Sequence, residues 1–178
     1  MRGLILASML LALCGCAAGP GSRAGEVPLL QLAPAALGRT MALQQRLVFI
    51  RQQQRDQIDA LLEVDAHQVR LVMHQVGQSA LKLRWDGSAL VQSRAEWLPA
   101  ALDGARVLAD IQLVYWPAEQ IQQALPAGWR LSAAPDQRQL RFGDELVVTV
   151  EYLGPRHQRL THARYGYSLD IQSIEAGA

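Results

Sequence analysis

The strongest constraint on this chain is a period-two alternation of apolar and polar residues that recurs along most of its length. Between Thr40 and Arg51, Met41, Leu43, Leu47 and Phe49 fall on one side, and Gln44, Arg46 and Val48 on the other. Such alternation places every second side chain on one face of an extended chain, so it predicts a strand with one buried face. The rhythm returns in Ile58, Ala60, Leu62 and Val64, then in Val69, Leu71 and Met73, then in Leu81, Leu83 and Trp85. Arg51-Gln52-Gln53-Gln54-Arg55 reads as a polar turn between the first two strands, and Asp86-Gly87 as a hairpin turn. A shorter strand follows from Ala89 to Arg94. Four more are expected at Trp129–Ala133, Gln137–Phe142, Glu145–Leu153 and Tyr165–Glu175.

Between the two runs of strands the period changes. Asp103 is placed to cap a helix whose apolar residues Val107, Leu108, Ile111, Val114 and Tyr115 are spaced by three and four. Trp116-Pro117 ends it. Pro117 suits the first turn of a second helix, Ala118 to Leu125, which Pro126 and Gly128 stop. The predicted fold class is mainly β (α+β): a curved antiparallel sheet of about nine strands forming an open, incomplete barrel. The two inserted helices act as its plug or lid. A sheet that curls around them covers its apolar face and protects its edges, and such a shape leaves a cavity at its mouth.

The amino terminus has a different logic. Arg2 precedes a short apolar run, Leu4 to Leu13, roughly half of the ~20 residues a spanning helix needs. Leu13-Cys14-Gly15-Cys16 then resembles a bacterial lipobox, which implies a thioether-linked diacylglycerol and an acylated amine on Cys16. Cys14 fits less well, because Leu13 is too large for the position before the modified cysteine. No cysteine lies downstream of this pair. Ala17 in place of an acidic residue after Cys16 implies sorting to the outer membrane, on its periplasmic face. Residues 1–15 are therefore expected to be a lipoprotein signal peptide, with a plain signal peptide or an uncleaved anchor as the competing readings. Residues 16–28, rich in Gly, Pro and small side chains, read as a flexible tether, and 29–175 as a single domain. Leu29 to Leu37, interrupted by Pro34, reads as a helical turn leading into the sheet.

A formal charge of +1 gives no strong field to attract nucleic acid. His67 and His74 lie near opposite ends of one predicted strand at odd spacing, hence on opposite faces, which argues against a shared metal. His157 and His162 fall in a polar stretch after Gly154-Pro155 and read as surface residues. No nucleophile elbow, phosphate-binding glycine loop or His-Glu-x-x-His helix occurs. The carboxylates sit on outward faces or turns. Asp110, on an otherwise apolar helix, is the one to inspect, with an exposed or capping contact as its ordinary role. No catalytic residue, metal site or cofactor is assigned, and the chain reads as a non-enzyme.

Several short stretches together resemble an uncharacterised family of bacterial outer-membrane lipoproteins with a LolA/LolB-like fold. Its members are often encoded beside aryl-polyene and fatty-acid-like biosynthesis genes. The marks are Leu32-Ala33-Pro34-Ala35-Ala36-Leu37-Gly38, Leu62-Glu63-Val64-Asp65, Trp97-Leu98-Pro99 and Leu108-Ala109-Asp110-Ile111-Gln112-Leu113. Trp116-Pro117, Leu125-Pro126-Ala127-Gly128-Trp129-Arg130-Leu131 and Tyr165-Gly166-Tyr167-Ser168-Leu169-Asp170-Ile171 complete the set. Gln75-Val76-Gly77, followed by Ala80-Leu81-Lys82-Leu83, resembles the LolB loop that presents a leucine to the membrane. That resemblance implies Val76 as a membrane-contact residue, with less apolar area than a leucine.

The expected function is that of a lipid-anchored carrier that binds or hands on an apolar ligand in a hydrophobic cavity. Lipoprotein acyl chains and aryl-polyene lipid are the ligand classes that the resemblance implies, and a LolA-like carrier is the implied partner. Leu71, Met73, Leu81, Leu83, Trp85, Ile111 and Trp116 are the candidate ligand-binding residues. The competing expectation is a structural or adaptor lipoprotein that docks an envelope complex, with these side chains serving only as core.

Overall fold

In the computed structural model, residues 26–98 and 103–176 are described. The expected signal peptide, Cys16, most of the expected tether and Pro99 lie outside them. Ten strands form one antiparallel sheet: β1 (Met41–Arg51), β2 (Gln54–Val64), β3 (Val69–Gln75), β4 (Gln78–Trp85), β5 (Leu90–Arg94), β6 (Trp129–Ala134), β7 (Gln137–Phe142), β8 (Glu145–Gly154), β9 (His157–His162) and β10 (Tyr167–Glu175). Their order is β5-β4-β3-β2-β1-β10-β9-β8-β7-β6, so the first half of the chain is a meander, the second half is another, and β1 pairs with β10 to join them. The predicted count of about nine is corrected by β9. His157–His162 looked like a polar loop because only Leu160 in it is aliphatic, yet Gln158, Leu160 and His162 are all buried. β2 also begins earlier than its apolar residues do, leaving a turn of only Gln52 and Gln53.

Burial follows the expected alternation. In β1, Met41, Gln45, Leu47 and Phe49 are buried, and in β2, Ile58, Ala60, Leu62 and Val64. The two edge strands do not pair with each other, so the barrel is open. Helix α1 (Gly104–Tyr115) lies against β5, helix α2 (Ala118–Ala124) against β6, and the helices touch each other, filling the gap between the edges.

Both ends of α1 are fastened. The Asp103 carboxylate accepts from the Ala105 N–H at 3.1 Å, and the Gln92 side chain of β5 accepts from the Gly104 N–H at 2.8 Å. Gly104 is required by that approach, because a Cβ there would stand 2.2 Å from Gln92 Oε1. At the other end, Arg138 donates to the carbonyls of Leu113 and Val114, and the Tyr152 hydroxyl donates to that of Val114 at 2.8 Å. These satisfy carbonyls that have no partner within the helix.

Residues 26–33 run beside α1 as a strap that leads into a 3-10 turn, Pro34–Leu37. Arg106 donates to the carbonyls of Val27 and Pro28, Gln112 clamps Leu32, and the indole of Trp116 donates to the Ala33 carbonyl. Val27 is buried, as is Pro28, although composition placed both in the tether. The strap runs in the same direction as α1, so residue 26 emerges at the start of that helix. There Arg106 lies over the ring of Tyr165, in the turn between β9 and β10. Antiparallel pairing puts that turn at the same end of the strands as the β3–β4 turn, Val76-Gly77.

Candidate functional site

Helix α1 has two unlike sides. Leu108, Ala109, Gln112 and Leu113 are buried, whereas Val107, Asp110, Ile111 and Tyr115 keep part of their surface open. The second stripe faces the concave side of the sheet across an apolar chamber, with Leu47, Phe49, Ile58, Leu71, Met73, Leu160, Leu169 and Ile171 opposite. The helix comes closest to the flanking strands β4, β5 and β9. The chamber is only about 50 Å³, room for a few waters rather than an alkyl chain.

Of the candidate ligand-binding residues, Leu71, Met73 and Ile111 line this chamber. Leu81 and Leu83 are core residues outside it. Trp85 and Trp116 are turned to the strap, where their indole N–H groups donate to the carbonyls of Leu32 and Ala33. Size and apolar character alone could not separate chamber from core in the sequence.

One end of the chamber is closed by polar side chains. The Gln45 amide donates to the Tyr115 hydroxyl at 2.7 Å and to Ser173 Oγ at 3.1 Å, and Tyr115 donates to Gln158 Oε1 at 3.4 Å. Beyond this gate lies an open depression of about 530 Å³ lined by Arg39, Arg70, Arg156, Glu63, Asp65 and Glu175 among others. Burial raises the Tyr115 hydroxyl above its ordinary range, so it stays a neutral donor.

The second polar feature is Asp110. The expectation of an exposed or capping carboxylate is corrected: it lines the chamber, and the Tyr167 hydroxyl donates to its Oδ2 at 2.6 Å. Burial raises its pKa to about 6, against the opposing Tyr167 hydrogen bond and the charge of Arg106. Tyr167 is in turn raised by burial and by the carboxylate beside it. The helical period marks Asp110 as inward, since it falls on the stripe of Val107, Ile111 and Val114.

His162 is corrected too. It is 0 % exposed, stacked on Tyr165 at 4.2 Å and close to Tyr167 at 5.2 Å. Its Nδ1 accepts from the Tyr165 N–H at 3.3 Å, which leaves the proton on Nε2, a buried atom with no partner among the described residues. Burial, with the charges of Arg106 and Arg164, lowers its pKa to about 4, so the ring is neutral. His157 is half-exposed and paired with Asp170 at 3.0 Å. Among the described residues no group of three or more His, Cys, Asp or Glu is placed to hold a metal ion.

Val76 is 97 % exposed and has φ +49°, in a turn whose next residue, Gly77, has φ +74°. Two successive positive φ values are the signature of a type I′ hairpin turn, a geometry that suits Asn or Gly and strains a β-branched residue. Trp97, 47 % exposed, follows β5 at the same end, and Tyr165 is exposed there as well. Among the described residues no helix is long and apolar enough to cross a membrane.

A profile of one protein family matches residues 42–175, from the second residue of β1 to the last of β10. The chain belongs to DUF3261, a family of proteins of unknown function. The DUF3261 match spans the whole sheet and both helices and leaves out the strap. No curated protein matches the sequence.

Proposed function

We propose that this DUF3261 protein is a lipid-anchored carrier or receptor of the bacterial outer membrane that takes an apolar ligand between α1 and the concave face of its sheet. The observation that carries this reading is the partly open stripe Val107, Asp110, Ile111 and Tyr115 facing an apolar wall. A helix packed to fill a core would seal that side. Loading draws α1 away from the wall, and each methylene that leaves water contributes about 0.8 kcal/mol. The fastenings at the ends of the helix are hydrogen bonds worth about 1 kcal/mol each, within reach of that gain.

Attachment through Cys16 complements this geometry. The strap emerges at the end of the strands that carries Val76, Trp97 and Tyr165. An anchor some ten residues upstream of Glu26 holds that end to the bilayer, where an exposed valine and two amphipathic aromatics suit the interface. The gate of Gln45, Tyr115, Ser173 and Gln158 then faces the periplasm, toward a LolA-like donor. The LolB-like fold and the acyl or aryl-polyene nature of the cargo belong to the same proposal.

The small chamber volume favours a second reading, an adaptor lipoprotein with a filled core. Uptake of the neutral apolar fluorophore N-phenyl-1-naphthylamine separates the two. The carrier reading predicts saturable enhancement of emission that Ile111→Trp suppresses by filling the chamber. No enhancement with folded wild-type protein contradicts it.

A further inference from the structure

We propose that Asp110 and Tyr167 form the polar recognition point of the chamber, selecting amphiphiles with an uncharged hydrogen-bond-donating head, a hydroxyl or an amide, against those ending in a carboxylate. The inference rests on the chamber being a binding site, as proposed above. Asp110 is the only carboxylate among the fifteen described residues that line the chamber, and no Arg, Lys or His is among them. A carboxylate accepts up to about four hydrogen bonds, yet among the described residues this one receives a single donor, the Tyr167 hydroxyl on Oδ2. Among the described residues no hydrogen bond reaches its Oδ1, which keeps some accessible surface, and Asp110 lines the chamber.

Among the described residues nothing else completes it. Arg106, one turn earlier on α1, is occupied by the carbonyls of Val27 and Pro28. From β10 comes Tyr167, already used, and from β9 His162, whose neutral ring packs on Tyr165 and Tyr167. On β1, β2 and β3 the lining is Gln45, Leu47, Phe49, Ile58, Leu71 and Met73. Gln45 is committed to Tyr115 and Ser173. A ligand hydroxyl or amide N–H supplies the missing donor to Oδ1. A ligand carboxylate brings a like charge into an apolar space, which is strongly unfavourable unless the two share a proton. The raised pKa of Asp110, about 6, fits a carboxylate short of donors and lets that sharing begin in mildly acid solution.

The test compares two ligands of equal chain length, 1-dodecanol and dodecanoate. Each displaces N-phenyl-1-naphthylamine from the anchor-free chain, residues 17–178, which contains the entire described core. At pH 7.5 dodecanol is expected to bind at least about tenfold more tightly than dodecanoate, and the gap narrows at pH 5. Asp110→Asn keeps the shape and the Tyr167 contact while removing the charge. It should raise dodecanoate affinity at pH 7.5 by about tenfold. Equal affinities in the wild type, or discrimination unchanged in Asp110→Asn, overturn the assignment while leaving the chamber as a binding site. If the probe and both ligands fail to bind the folded wild type, the chamber reading falls and takes this assignment with it.

Discussion

Gln112 and Leu32, eighty residues apart, exchange two hydrogen bonds: the Gln112 amide accepts from the Leu32 N–H at 2.9 Å and donates to the Leu32 carbonyl at 2.9 Å. Gln112 is 0 % exposed, and the same carbonyl also receives the Trp85 indole N–H at 2.8 Å. Among the described residues the strap pairs with no strand, so side chains of α1 and β4 satisfy its backbone groups.

Gln112→Met removes the clamp while keeping the side chain's length, leaving the part-buried N–H at Leu32 without a protein partner. A loss of about 2–3 kcal/mol is expected in urea unfolding. Proteolysis under native conditions should cut first within residues 26–33. Stability within about 0.5 kcal/mol of wild type would show that the strap adds nothing.

Val76→Asn relieves a β-branched residue at φ +49°. It should raise stability by about 1 kcal/mol and weaken association with anionic vesicles. Val76→Glu should impair ligand transfer to vesicles with the domain still folded. Transfer unchanged in both variants would leave the strain without a functional counterpart.

Asp110 and His162 titrate in opposite senses. The folded pKa of Asp110 is raised to about 6 from 3.8, so its contribution is present in acid and lost as pH rises through 6. The folded pKa of His162 is lowered to about 4 from 6.5, so its contribution is present above 6.5 and lost as pH falls through 4. Each shift is worth about 3 kcal/mol, and the two windows overlap and nearly cancel. Wild-type stability from urea unfolding should therefore change little between pH 7 and 4.5. In Asp110→Asn only the histidine remains, and acidification should cost about 2–3 kcal/mol over that range. A flat profile in the variant would show that His162 does not resist protonation.

The sheet was legible in the sequence because one face of most strands is buried, and period two reports that face directly. β9 was hidden for the converse reason. Its inward residues are Gln158, Leu160 and His162, two of them polar, and their burial depends on partners from α1 and the β9–β10 turn. The helices were legible through Asp103, Pro117 and the spacing of apolar residues. The strap was not, since its polar fastenings reach it from residues 53 to 83 positions away, far outside any local window. Within the chamber, Leu71, Met73 and Ile111 were anticipated, whereas Leu81, Leu83, Trp85 and Trp116 are equally apolar but pack elsewhere.

The proposed acylation at Cys16 has a direct readout. Cells grown with alkyne-palmitate should label the wild-type chain and leave Cys16→Ala unlabelled. Equal labelling of both would contradict the lipoprotein reading.

The most direct test of the carrier proposal is native mass spectrometry of residues 17–178, which lack Cys16 and so carry no covalent lipid, purified from the source envelope. A reproducible adduct with the mass of an acyl or polyene lipid is predicted, lost in Ile111→Trp. A bare polypeptide mass from the wild type, with no uptake of neutral apolar probes, would contradict the account and favour the adaptor.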